Sequence, residues 1–189
     1  ENHVVRCVGE PEERFTEDAL RILRAVRFSA QLGFSIEEGT RKAARTLAHT
    51  LEHISAERIQ TELVKLLISP YPQYLRTAWE LGLTKIFLPE FDREMSTPQN
   101  NPHHQKNVGE HTLKALETVE PDKVLRLAAL FHDMGKPDCR ATDENGTDHF
   151  REHQKVSEEI AQKVLRRLRF DNDTIKKVSM LVRFHECPW

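Results

Sequence analysis

A largely apolar run, Val124-Leu125-Arg126-Leu127-Ala128-Ala129-Leu130-Phe131, ends on adjacent His132 and Asp133, and no other feature limits the fold of this chain so sharply. Packing would bury the run, and an imidazole beside a carboxylate is costly to bury unless something pairs them. A divalent cation pairs both at once. His111 upstream, and His153 and His185 downstream, offer further imidazoles from separate segments. His132 and Asp133 point about 100° apart if both are helical, so they reach one ion only at a helix end, which Gly135 helps to open.

Nearly every segment with a clear period reads as helix. Thr16 is a candidate N-cap for a stripe of Ala19, Ile22, Leu23, Val26 and Ala30 that ends near Gly33. Ser35 with Glu38 has the spacing of a capping box for a second helix running toward His49. Ser55 precedes a third, with Ile59, Leu63, Leu66 and Leu67 on one side, and a fourth runs from Pro72 to Gly82. From Pro89 to Pro102 the chain is polar and punctuated, which reads as a long loop and divides it into residues 1–90 and 91–189. Further helices are expected over 108–119, 121–134, 153–168 and 173–185. Between Cys139 and Phe150, Asn145-Gly146 marks a hairpin. The expected fold is therefore all-α, two helical parts with one short β-hairpin.

Composition narrows the function. With 38% hydrophobic and 31% charged residues the chain can close a core without staples. It holds no apolar run of the roughly 20 residues a bilayer requires and no secretory leader pattern, so a cytoplasmic setting without membrane contact is expected. Cys7, Cys139 and Cys187 lack C-x-x-C spacing and read as bystander thiols. A formal charge of −2 gives no overall pull toward nucleic acid, so RNA would have to meet local basic patches such as Arg21, Arg24 and Arg27.

Imidazole and carboxylate together suit Mg, Mn, Ni or Fe, and water made acidic by such a cation attacks phosphoesters. The order of His111, then His132-Asp133, resembles the HD superfamily of metal-dependent phosphohydrolases. That resemblance implies metal ligation by His111, His132 and Asp133, with His185-Glu186 where the superfamily carries a later aspartate. It also implies catalytic roles for His132 and Asp133, and a His153 facing the metal or phosphate. Helix capping or solvent exposure is the alternative for His153.

The polar side of the first helix carries Glu17-Asp18-Ala19-Leu20-Arg21. An Asp18–Arg21 ion pair on a solvated face is one reading. The other is a mould: a carboxylate only accepts hydrogen bonds and a guanidinium only donates them, which matches the amine and ring nitrogen of cytosine and adenine and opposes guanine and uracil. The segment Arg14 to Phe28 is similar to the E-D-x-x-R nucleotide-recognition motif of class II tRNA nucleotidyltransferases and poly(A) polymerases. Arg58-Ile59-Gln60-Thr61-Glu62-Leu63-Val64-Lys65 resembles their R-x-x-x-E-x-x-K motif, although a self-contained Arg58–Glu62–Lys65 ladder would have the same spacing. Phe87-Leu88-Pro89-Glu90, Pro102-His103-His104, Glu110-His111-Thr112 and His149-Phe150 extend the likeness.

The resemblance implies a helical neck and body over 1–90 and an HD domain over 91–189. It implies base reading by Asp18 and Arg21, support from Arg24, Arg58 and Glu62, tRNA and nucleotides as partners, and CTP and ATP as substrates of the whole enzyme. Nucleotide addition also needs paired carboxylates on a strand and a Gly-Ser loop. The sole Asp-x-Asp, Asp171-Asn172-Asp173, reads as a turn with an N-cap. The chain is thus expected to be part of a longer enzyme, without the catalytic head. Two alternatives are a free-standing HD phosphohydrolase acting on phosphomonoesters or 2′,3′-cyclic phosphates, and a non-catalytic tRNA-binding module with a vestigial metal site.

Overall fold

A computed structural model describes residues 3–100 and 107–187 as two units, divided between Pro89 and Glu90. Pro102-His103-His104 lies outside the described residues. The helical expectation holds: among the described residues the strands are confined to two two-stranded pairs. No described helix is long and apolar enough to cross a membrane.

The first unit opens with β1 (Val4–Val5), which pairs in parallel with β2 (Ser35–Ile36). Between them lie α1 (Pro11–Glu17) and α2 (Leu20–Leu32). Thr16 is therefore inside α1 and is not an N-cap. The break falls at Asp18, whose backbone is extended and whose Oδ1 accepts from Leu20 N. Gly33 ends α2 at φ +69°, and a Cβ there would stand 2.7 Å from the Tyr71 ring. Both the left-handed backbone and the close ring require glycine.

Next come α3 (Glu38–Leu47), α4 (Ala56–Leu67), α5 (Leu75–Glu80) and α6 (Thr84–Phe87). The cap of α3 is Glu37, which accepts from Thr40 N; Ser35 is occupied in β2, so the capping box does not form. Ser55 does sit at the N-cap of α4, but without a side-chain bond. The helix expected from Pro72 is broken into a 3₁₀ turn, Pro72–Tyr74, followed by α5. α2 packs on α4 and α1 on α3, burying Leu20, Leu23, Val26, Leu63, Leu66 and Leu67.

The second unit starts within α7 (Pro89–Ser96), so the long loop expected there is a helix for half its length. Phe91, Glu94 and Met95 are its buried face, a three-to-four spacing hidden among polar residues. Then follow α8 (Val108–Thr118), α9 (Lys123–Phe131), α10 (Lys136–Cys139), β3 (Ala141–Thr142), β4 (Asp148–His149), α11 (His153–Arg167) and α12 (Asn172–Phe184). Asp122 caps α9 through Val124 N and Leu125 N, and Asp171 caps α12 through Thr174 N; such caps contribute about 1 kcal/mol each. Asp171-Asn172-Asp173 is accordingly a helix start. The hairpin turns at Gly146, φ +78°, with Asp143 Oδ1 accepting from Asn145 N and Thr147 N. α9, α11 and α12 pack together and α8 lies against α9, with Leu127, Leu130, Phe131, Val164, Leu165, Val178 and Val182 buried.

Candidate metal centre

α9 stops at Phe131, and His132 and Asp133 occupy the turn that follows. Both therefore face one point, as a helix end allows and a helix interior would not. Gly135 N donates to Ser157 Oγ at 2.9 Å. A Cβ on Gly135 would lie 2.5 Å from the His153 carbonyl, so glycine lets α11 approach this turn. Glu152, with φ +58°, swings the chain from the hairpin into α11 and makes His153 its first residue.

Three imidazoles use one device. Nδ1 of His132, His153 and His185 lies 2.7, 2.9 and 2.7 Å from the carbonyl three residues earlier, on Ala129, Phe150 and Val182. With Nδ1–H donating there, each Nε2 presents a lone pair. Those lone pairs converge on Asp133, which is 1% exposed. His132 Nε2 is 3.2 Å and His111 Nε2 3.6 Å from Asp133 Oδ2; His153 Nε2 is 3.1 Å and His185 Nε2 3.9 Å from Oδ1. The His153 and His185 Nε2 atoms are 3.3 Å apart.

Acceptors facing acceptors in a buried site call for a cation or protons between them. Asp133 Oδ2 accepts no well-aligned hydrogen bond, although Lys136 Nζ forms an ion pair with it at 2.8 Å. Among the described residues, two overlapping groups have metal-ligand spacing: His111, His132 and Asp133, and Asp133, His153 and His185. Nitrogen and oxygen donors with an orphaned carboxylate oxygen fit a first-row divalent ion.

Burial opposes the charge of Asp133, but the neighbouring His132, His153 and Lys136 hold its carboxyl well below the usual carboxylate range. Burial also opposes protonation of His153, yet the Asp133 and Phe150 contacts raise it. At His185 burial prevails, aided by His132 and His153, and lowers it.

His153 thus stands among the ligand-spaced groups, and Glu186 falls outside both. Glu186 Oε1 is 3.8 Å from His153 Nε2, and Oε2 accepts from Gln154 Nε2. Sequence reasoning missed Lys136 and Glu94. Lys136 was visible as the third residue after Asp133, whereas Glu94, 0% exposed, carried no signal beyond the masked period of α7.

In the first unit, the side chains of Asp18 and Arg21 do not pair with each other, although Arg21 N donates to the Asp18 carbonyl at 3.1 Å. Arg58 Nη2 donates to Asp18 Oδ2 at 2.7 Å, and Arg21 Nη1 donates to Glu17 Oε2 at 2.5 Å and to the Arg14 carbonyl at 3.0 Å. The ladder within α4 is also replaced. Glu62, 2% exposed, accepts from Arg24 Nε at 2.9 Å and Arg27 Nε at 2.8 Å, both on α2.

Comparison with known proteins agrees with both halves. Residues 33–95 match the family model described as "Probable RNA and SrmB-binding site of polymerase A", and 103–189 match the HD domain. A CC-adding tRNA nucleotidyltransferase of Thermus thermophilus is 41% identical over 92% of this chain and 43% of its own length. The chain belongs to the CCA-adding tRNA nucleotidyltransferase family. It carries that family's neck/body and HD region. An A-adding tRNA nucleotidyltransferase of Deinococcus radiodurans is 34% identical over 96% of this chain and 44% of its own. The crystal structure of the Bacillus stearothermophilus CCA-adding enzyme in complex with CTP matches all of this chain and 40% of that one, with a TM-score of 0.61 and 26% identity. The chain therefore spans less than half the length of these nucleotidyltransferases.

Proposed function

We propose that the second unit is a metal-dependent phosphohydrolase domain in which His111, His132, Asp133, His153 and His185 surround a divalent cation. The observation that carries this is the shared fixing of three Nδ1 atoms, which turns three Nε2 lone pairs onto one buried carboxylate. A cation held there supplies Lewis acidity toward phosphoryl oxygens and makes water acidic enough to attack near neutral pH. The chain's own part is orientation: the backbone carbonyls lock the rings, and Asp133 provides the negative charge. His111, with 36% of its side chain exposed, faces the open side where a phosphoester enters. Glu186, on the rim, contacts substrate or water rather than completing the ligand set.

The test is metal content after purification without added ions, followed by hydrolysis of a 2′,3′-cyclic nucleotide and of a phosphomonoester with Mg, Mn, Ni or Fe(II). Roughly one or two ions per chain, lost in His132→Ala, and cation-dependent hydrolysis lost in Asp133→Asn are expected. Bound metal with no hydrolysis would leave a binding module, and no bound metal would remove the proposal.

For the first unit, the neck/body of a tRNA nucleotidyltransferase, we propose that it serves CTP- and ATP-dependent extension of tRNA 3′ ends. Asp18 and Arg21 would form the base mould, each steadied by a second partner: Arg58 and Leu20 N for Asp18, Glu17 and the Arg14 carbonyl for Arg21. Glu62 ties Arg24 and Arg27 to α4 and holds the helix carrying the mould. In a full-length enzyme containing this segment, Asp18→Ala or Arg21→Ala should admit GTP and UTP. Unchanged C and A selectivity would refute the mould.

A further inference from the structure

The Asp133 oxygen nearest His111 and His132 already has a cationic neighbour from the chain itself. Lys136 is 8% exposed, its Nζ is 2.8 Å from Asp133 Oδ2, and the Phe150 ring centroid lies 5.3 Å from the same nitrogen. An ammonium so enclosed depends on that carboxylate for its stability. A divalent ion seated between His111, His132 and Asp133 would share Oδ2 with it, placing two like charges a few ångströms apart where water screens them little. One of them has to yield.

A second buried group is placed to receive the one that moves. Glu94 on α7 is fully buried, and its Oε1 accepts from Thr112 Oγ1 at 3.0 Å, one residue beyond His111. Its Oε2 is buried with no hydrogen-bond partner. Burial, with the charge of Asp133, raises this carboxyl well above its ordinary range, while Thr112 and the charge of Lys136 pull it down; a cation that meets the charge of Asp133 and an ammonium that moves closer both favour its ionised form. Glu94 is thus within electrostatic reach of both members of the ion pair and has an unused acceptor. Lysine suits such a movement, because its ammonium is a point charge on a four-carbon stem with rotatable bonds.

We infer that Lys136 is an internal counter-ion competing with the divalent cation for Asp133 Oδ2, and that Glu94 receives the displaced ammonium. The inference rests on the metal-centre reading. Lys136 and Glu94 are positioning residues here: they set how readily the ion enters, through Asp133, without ligating it.

The experiment is the affinity of the purified chain for Mn(II) or Ni(II), by calorimetry or competition with a chelator, for wild type, Lys136→Met, Glu94→Gln and the double variant. Circular dichroism and thermal unfolding check each fold, and Lys136→Gln replaces Lys136→Met if the latter does not fold. Removing the competitor should tighten binding about tenfold or more. Glu94→Gln should weaken it by a similar factor while Lys136 is present, and have little effect once Lys136 is gone. A lysine that merely supported the fold would give weaker binding when removed. Unchanged or weaker binding by the Lys136 variant, or a Glu94→Gln effect that persists in the double variant, overturns the inference. Absence of metal binding by the wild type instead removes the metal-centre reading beneath it.

Discussion

Arg58 Nη2 lies 2.7 Å from Asp18 Oδ2, so the carboxylate at the break between α1 and α2 is tied to α4 across 40 residues of sequence rather than to Arg21 three residues away. Oδ1 is fixed separately by Leu20 N. A side chain held through both oxygens has lost most of its rotational freedom before any base arrives, which is the condition for discriminating between hydrogen-bonding edges.

Arg58→Ala should lower stability only modestly, by about 0.5–1 kcal/mol, because 45% of the Arg58 side chain is exposed and solvent screens the pair. The loss should shrink when urea unfolding is repeated at 1 M salt, where the screening length falls to about 3 Å. A loss that ignores salt would assign the effect to packing of the arginine stem.

Glu62→Gln is expected to be more severe. Only 3% of the Glu62 side chain and 12% of the Arg27 side chain are exposed, so losing the carboxylate leaves a nearly buried guanidinium without its counter-charge. A decrease of about 2–4 kcal/mol in unfolding free energy follows. A change below about 0.5 kcal/mol would mean that Arg27 finds another partner.

Gly135→Ala tests how the metal centre is assembled. The added methyl would sit 2.5 Å from the His153 carbonyl and 2.6 Å from Ser157 N, both backbone atoms of α11. Backbone yields less readily than side chain, so the variant should lose about 1–3 kcal/mol of stability. His153 would move away from Asp133, and bound metal after purification should fall with it. Full metal content in a folded Gly135→Ala protein would contradict the close approach.

The Glu90–Arg167 pair supplies a pH signature. Arg167 Nη1 and Nη2 reach Glu90 Oε1 and Oε2 at 2.7 and 2.8 Å. Burial works to raise the Glu90 carboxyl, but the Arg167 bonds and charge lower it overall. A carboxylate lowered in the folded state contributes stability that is present above its unfolded value, about 4.3, and is lost as pH falls through the folded one. Glu90→Gln should therefore cost about 1 kcal/mol at pH 7, a figure that allows for the 38% exposure of the Arg167 side chain. The difference from wild type should begin to shrink as the pH drops below about 4.3 and vanish only below the lowered folded value. A pH-independent difference would attribute it to geometry instead of charge.

The amino-acid sequence by itself determined the helical character, the hairpin at Asn145-Gly146 and the placement of His132-Asp133 at a helix end. Each depends on spacings of a few residues, such as Ile59, Leu63, Leu66 and Leu67 along one face of α4, which the backbone period turns directly into local structure. Ser35 and Thr16 misled because capping residues compete with other uses: Ser35 pairs in a strand, and Thr16 Oγ1 bonds back to the Glu12 carbonyl inside α1. Only the tertiary structure decided that Arg58 holds Asp18, that Arg24 and Arg27 share Glu62, that His153 rather than Glu186 joins the cluster at Asp133, and that Glu94 is buried beside it. Those partners lie some 20 to 40 residues apart, where no local period fixes distance and packing alone brings charges together.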